Sequence, residues 1–478
     1  MKTNTKRLLA MLMAAGMLLS AVACAKSDPT EGETQGATGS VTEEETGYKP
    51  NIAKTNYNTD FFIMNYSSIL DDVLFVADES TRGDPMADSV YERALNIKDH
   101  LGVTIKLTDA GSTNEYATVI RRNVQSGEDA HQLVMTHGLI GAGTLVSGNC
   151  LYNYADFEDV NLDAPYWAGE LMEEIRVEDK YYLGYGDLCL SEVLVVIANK
   201  DLMDEYKITA PYEDVRNYDW TLDKMISLAS LVSKDNGDGK WDEKDTYGIS
   251  GLAWIPFISF VTSSDMKIVE KDGDGVFSIA YSRNADKMTS LIDKLTQMHD
   301  ADYSYFWPHT TGVELDFANG TTMFQLYHSS SLEILRAEEV RFGILPYPTY
   351  DANQKEYKSL NWNGLIAVPT TISNPDMVGE TLELMNYYSA DVKLAYHEKL
   401  LGTKLADSPD DAEMLDIIWD SQTSDVGLIC CNSSYAMDNL VYLVPTLVGG
   451  YDSRFSYASL LQRNMKAAQG GLDKVFKQ

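Results

Sequence analysis

From Phe61 to Met135 the chain alternates between short apolar runs and stretches whose apolar residues recur every three or four positions. Phe61-Phe62-Ile63-Met64 suits a first strand. Pro85 to Leu101 then sets Val90, Ala94, Ile97 and Leu101 on one helical face, and Gly102 ends that helix. Val103-Thr104-Ile105-Lys106-Leu107 alternates like a strand, Asn114 to Val124 reads as a helix, and Gln132-Leu133-Val134-Met135 reads as a third strand. Strands separated by helices cannot pair through tight hairpins. The order βαβαβ therefore predicts a parallel sheet flanked by helices.

A second unit opens at Val193-Leu194-Val195-Val196-Ile197, a β-branched run of the kind buried inside a sheet. Helical patterns follow from Asp201 and from Thr221, whose hydroxyl can cap the first amides of a helix reaching Leu231. Met323-Phe324-Gln325-Leu326 and Leu365-Ile366-Ala367-Val368 supply later strands, and from Pro375 onward the pattern is mostly helical. Two α/β units followed by a return of strands imply a chain that crosses more than once between lobes, leaving a cleft where they meet.

The first residues have the layout of a bacterial export signal. Lys2, Lys6 and Arg7 precede an apolar run from Leu8 to Ala23, too short to span a bilayer comfortably, and Cys24 follows before a polar stretch. Ala25 to about Lys54 is rich in Ser, Thr, Glu and Gly, so it cannot bury enough surface to offset the entropy of ordering and reads as a disordered tether over residues 24–54. The formal charge of −34 becomes about −37 without the three basic leader residues, and no basic block interrupts it. Nucleic acid, which needs clustered Lys and Arg, is excluded as a partner. Cys150, Cys189, Cys430 and Cys431 show no zinc spacing; a Cys150–Cys189 disulfide and buried free thiols are the two readings.

Four local patterns, in order, resemble the family 1 extracellular solute-binding proteins, the group that includes the maltose-binding type. Glu192 to Leu202 resembles the strand, turn and helix that begin that family's second lobe. Asp219-Trp220-Thr221-Leu222-Asp223-Lys224 is similar to its "TWDEL" helix start, Phe317 to Phe324 to its hinge-strand signature, and Phe342-Gly343-Ile344-Leu345-Pro346-Tyr347-Pro348 to the strand beyond. The sequence Ala21-Val22-Ala23-Cys24 resembles the lipobox of bacterial lipoproteins, departing from it at Ala21, where Leu is usual. The resemblance implies an α/β, two-lobed periplasmic-binding-protein-like fold with hinge strands and a mostly helical C-terminal part. It implies a signal peptide over residues 1–23, a first lobe of 55–190 with 330–385, and a second of 191–329 with 386–478. It further implies a monomer anchored by a lipid on Cys24 to the outer face of the bacterial cytoplasmic membrane. There it would bind a carbohydrate without cofactor and deliver it to the permease subunits of an ABC importer.

Sugars present hydroxyls around apolar ring faces, so their sites combine flat aromatics with carboxylates or amides. The chain has 29 Tyr and 7 Trp for the first role. By position in the resemblance, ligand contacts are expected from His137 after the third strand, from the hinge acid Glu192 and from Trp254. Tyr327 and His328 after one hinge strand, Trp362 and Asn363 before another, and Tyr435 in the helical segment complete the set. For each aromatic the competing reading is core packing, and for Trp220 packing is the expected one.

Lys234 to Asp245 resembles a calcium loop, with Asn236, Asp238, Asp242 and Asp245 at ligand spacing around Gly239, but Lys234 stands where the first carboxylate belongs. Lys271-Asp272-Gly273-Asp274-Gly275 reads as a hairpin turn. Enzyme motifs are missing: there is no nucleophile elbow, P-loop or zincin pattern, and the seven His are scattered. The alternatives to sugar import are binding of a non-sugar solute such as a peptide, and a secreted glycan-degrading or glycan-adhesive lipoprotein.

Overall fold

A computed structural model describes residues 48–66, 75–190, 192–307, 317–336, 338–361, 363–406, 408–449 and 456–476. The expected signal peptide, Cys24 and most of the expected tether lie outside the described residues. The first sheet contains β1 (Thr59–Asn65), β2 (Val103–Asp109), β3 (Leu133–His137) and β13 (Asn363–Ala367), in the order β13-β3-β1-β2. As the alternating pattern predicts, β1 lies parallel to both β2 and β3, with Phe61 opposite Ile105 and Ile63 opposite Leu107 and Leu133. β13 is antiparallel to β3.

Local chemistry fixes the helix between β1 and β2 at Pro85–Leu101, the bounds read from the sequence. Asp84 accepts the amides of Met86 and Ala87, both at 3.0 Å, and Pro85 occupies the first position, where no amide is needed. Gly102 stops the helix at φ +66, its amide bonding Lys98 O at 2.9 Å. A side chain there would also collide with Asn56, whose Oδ1 lies 2.0 Å from the Cβ position.

Residues 48–54, read from composition as tether, are instead held against this lobe. His100 Nε2 lies 2.9 Å from the Ile52 carbonyl, Lys54 pairs with Asp99 at 2.8 Å, and Asn161 donates to the Tyr48 hydroxyl at 2.9 Å. Tyr48 and Ile52 are the apolar residues that the segment's average composition hides.

The second sheet runs β11 (Phe342–Leu345), β4 (Leu194–Asn199), β10 (Thr322–His328), β6 (Thr246–Leu252), β5 (Ser233–Lys234), with β9 (Ser304–Trp307) also on β6. β10, β6 and β9 are mutually parallel, whereas β4 opposes both β10 and β11. A hairpin of β7 (Val269–Lys271) and β8 (Phe277–Ile279) turns at Asp272–Gly275, as its composition predicts. Thr221 caps its helix by accepting the Lys224 amide at 3.2 Å, and Trp220 is core, its Nε1 donating to Pro346 O at 2.8 Å.

Two features move the expected lobe boundaries. β11 belongs to the second sheet, so the return to the first comes after Leu345 rather than near residue 330. The C-terminal helices also divide: Ala390–Ala406 packs on Pro85–Leu101 of the first lobe, while Pro409–Asp420 packs on β11 of the second. Between the sheets, β12 (Ser359–Leu360) pairs with β14 (Gln422–Thr423), and Asn361 bridges to Val193. The Ser329 amide bonds the Val193 carbonyl at 2.9 Å, so the connecting segments run side by side. Cys150, Cys189, Cys430 and Cys431 are buried free thiols.

Candidate functional site

Parallel strands open a crevice beyond their carboxyl ends. In the first sheet those ends carry Asn65 on β1 with Tyr66 just beyond it, and His137 on β3. In the second they carry His328 on β10, and Leu252 on β6 followed by Ala253-Trp254. Because β4 runs the other way, its beginning lies at the same edge, with Leu194 opposite His328 and Glu192 just before it.

Four expected contacts, His137, Glu192, Tyr327 and His328, are gathered here. His328 Nδ1 lies 3.5 Å from Glu192 Oε1, and the Ser330 hydroxyl donates to that same oxygen. The Tyr327 ring meets the His328 ring edge-on at 5.0 Å. The Leu139 amide donates to His137 Nδ1 at 3.0 Å, which leaves the proton of the neutral ring on Nε2. Burial pushes the His137 imidazole down to about 4, Glu192 pulling it back up and His328 adding to the depression. The ring is therefore neutral near pH 7, a donor through one nitrogen and an acceptor through the other.

Two tyrosines that the sequence reading missed complete the wall. Tyr66 stacks on Tyr116 at 5.6 Å and lies 6.1 Å from the His137 ring. Tyr116 accepts the His137 amide at 3.3 Å and donates to the Ile140 carbonyl. Tyr66 is fully buried, yet its hydroxyl has no hydrogen-bond partner among the described residues. Burial first, then Tyr116, Glu192 and Cys189, hold its phenol well above the ordinary value. The resemblance names no residue at the end of the first strand, and the burial of Tyr66 is visible only in the folded chain.

The other expected contacts fare differently. Trp254 stands at this edge, half-buried, its ring 5.7 Å from that of Tyr442. Asn363 opens β13 opposite His137, although its side chain, like all of Trp362, lies outside the described residues. Tyr435 is 76% exposed on the first turn of Tyr435–Val441, and no hydrogen bond or ring contact ties it to the cluster.

The calcium expectation is not supported by the loop's geometry. Both Asp245 oxygens accept loop amides, from Asn236 at 2.8 Å and Asp242 at 2.7 Å. Asn236, Asp238 and Asp242 each accept the amide two residues on. These side chains stabilise the turn by the bonds that Asn and Asp make to their own backbone. Among the described residues no group of three or more His, Cys, Asp or Glu converges as a metal site, and no helix is long and apolar enough to cross a membrane.

No protein-family model matches the chain, and no curated protein matches it. Solved structures do. An ABC substrate-binding protein from Listeria monocytogenes in complex with cycloalternan aligns with a TM-score of 0.59 at 13% identity, covering 87% of this chain and 99% of that one. The GacH receptor of Streptomyces glaucescens, solved unliganded and with acarbose, gives 0.57 at 13%, covering 88% and 99%. The maltose/maltodextrin-binding domain MalE of Bdellovibrio bacteriovorus, bound to maltotriose, gives 0.55 at 14%, covering 86% and 99%. At these identities the likeness is one of architecture: the chain has the two-lobed α/β fold of the periplasmic solute-binding proteins.

Proposed function

We propose that this chain is the substrate-binding lipoprotein of an ABC importer, anchored through Cys24 on the outer face of the bacterial cytoplasmic membrane. It captures an oligosaccharide by closing two lobes and hands it to permease subunits without altering it. The observation that carries the reading is the meeting, at one edge, of hydrogen-bonding groups from both sheets: His137 and Tyr66 from the first, Glu192, His328 and Ser330 from the second. A solute with many hydroxyls can engage both sets at once, and a ligand that touches both lobes stabilises the closed arrangement by its differential affinity. The half-buried Trp254 at the same edge supplies a flat face for a sugar ring. The solved neighbours that carry cycloalternan, acarbose and maltotriose agree with this class of ligand.

The test is a thermal-shift and calorimetric titration with maltotriose, maltotetraose, cycloalternan and acarbose. A ligand at 100 times its Kd adds about 2.7 kcal/mol, which for ~430 folded residues raises Tm by about 3 °C. Glu192→Ala should abolish the shift while leaving the unliganded Tm within about 1 °C. No shift with any sugar, or release of reducing ends from a glycan, would refute the reading.

A further inference from the structure

A cavity of about 390 Å³ opens where the lobes join, lined by none of the cleft residues described above. One wall is the helix Ala390–Ala406, which packs on the first lobe, with the loop that ends at Leu190; the other is the helix Pro409–Asp420, which packs on the second. Joints between domains are favoured places for small-molecule sites, and this volume lies in their usual range. The inner lining is aromatic. Tyr185 and Tyr396 are buried, and the half-buried His397 meets the ring of Trp419 edge-on across the joint at 4.9 Å. The His397 imidazole has no hydrogen-bond partner among the described residues. Burial, with Lys393 adding to it, pushes that imidazole down to about 4, so near pH 7 it is uncharged and keeps an acceptor nitrogen. Lys393 itself is offset by Asp187, 2.8 Å away. Glu170, Asp416 and Asp420 stand exposed around the same cavity and make no ion pair or hydrogen bond among the described residues, so their charge is uncompensated.

We propose that this cavity is a second binding site, for a protonated primary amine with an apolar body. An ammonium has three donors and no acceptor, which suits carboxylates at the rim and a neutral imidazole nitrogen within. The face of an indole attracts a cation directly through its quadrupole, and Trp419 is the residue type in which that attraction is strongest. The apolar body gains by burial against the aromatic lining. An anion of the same size is repelled by the three carboxylates. A neutral alcohol keeps the apolar contacts and loses the charge-assisted bonds. Because the cavity shares no residue with the cleft, the site stands whether or not the cleft takes a sugar.

The experiment compares phenethylamine with phenethyl alcohol, which share a shape and differ in charge. Calorimetric titration near neutral pH in about 0.15 M NaCl, where salt screens diffuse attraction to an acidic chain, should show one saturable site per chain for the amine. The alcohol should bind at least about tenfold more weakly, the discrimination that a charge-assisted bond supplies. Asp416→Asn together with Asp420→Asn should weaken the amine about tenfold and leave both the alcohol and the unliganded Tm unchanged, since the two carboxylates are exposed and unbonded. His397→Phe keeps a ring beside Trp419 and removes the acceptor, and should weaken the amine about fivefold. The proposal is overturned if the amine does not bind or if amine and alcohol bind alike. It is equally overturned if the double variant binds the amine as the natural protein does, because the attraction then lies elsewhere on the chain.

Discussion

Removing Asp411 should loosen the C-terminal helices from the second lobe. Its side chain is fully buried on the helix Pro409–Asp420 and gathers three donors from three segments: Lys200 Nζ at 2.5 Å, the Tyr212 hydroxyl at 2.6 Å and the Ile344 amide of β11 at 3.2 Å. In Asp411→Ala all three lose their acceptor. All three bonds end on a carboxylate, and removing one partner of a buried ion pair typically costs about 3–5 kcal/mol. Lys200 is 23% exposed, and water reaching its ammonium holds the value to the lower half of that range. Urea denaturation followed by tyrosine and tryptophan fluorescence reads it directly. The nearby Arg216, whose guanidinium pairs with Asp410 and Glu413 on the surface, is the control: Arg216→Met should leave the denaturation midpoint nearly unchanged. Lys200→Met combined with Asp411→Ala should cost less than the two changes summed, because each single change strands the other's partner. A loss below about 1 kcal/mol for Asp411→Ala, or strict additivity in the double variant, would refute the claim that this carboxylate fastens the helix to β11.

Two further substitutions test packing and buried charge. Burial raises the acid of Asp425 to about 6, while the amides of Ile268, Gly427 and Val269 and the charge of Lys267 pull it back. Since the folded value exceeds the unfolded ~3.9, the folded state holds the proton longer, and stability falls as pH rises from about 4 to about 6, by up to ~3 kcal/mol. Asp425→Asn should flatten that fall in urea titrations at pH 4, 5 and 6.5, and an unchanged slope would refute the assignment. Gly248 on β6 is pressed against the helix Leu222–Ala229, where a Cβ would lie 1.9 Å from the Ala229 carbonyl oxygen. Gly248→Ala should therefore cost about 3 kcal/mol or more, and tolerance of the methyl in a denaturation curve would show that the two elements part easily.

How legible each feature is in sequence depends on how local its cause is. Pro85–Leu101 is read residue for residue because Asp84, Pro85 and Gly102 fix both ends through contacts a few positions away. The parallel pairing of β1, β2 and β3 follows from the helices between them, which leave the chain no short way back. By contrast, nothing in the run Leu194–Asn199 states that it opposes its neighbours; that is decided by β10 and β11, more than 120 positions later. The acidic loop shows a different limit. The same Asn and Asp side chains suit a cation and a chain of backbone amides, and spacing alone does not choose between them. At the site, His137, Glu192 and His328 are expected from their positions in the family resemblance, whereas Tyr66 escapes notice because an orphaned hydroxyl exists only once its surroundings are known.

The late arrival of β13 has a consequence for how such a chain is made. β3 is complete at His137, but the strand that covers its outer edge is not synthesised until Asn363–Ala367, and the helix that backs β11 only at Pro409–Asp420. Emerging amino end first, the polypeptide carries a first sheet of three strands with one bare margin until β13 is made, and neither half can reach its final form alone. A nascent or truncated product ending before residue 363 would expose the unpaired edge of β3, an invitation to self-association. Folding of the two halves is thus tied to completion of the message.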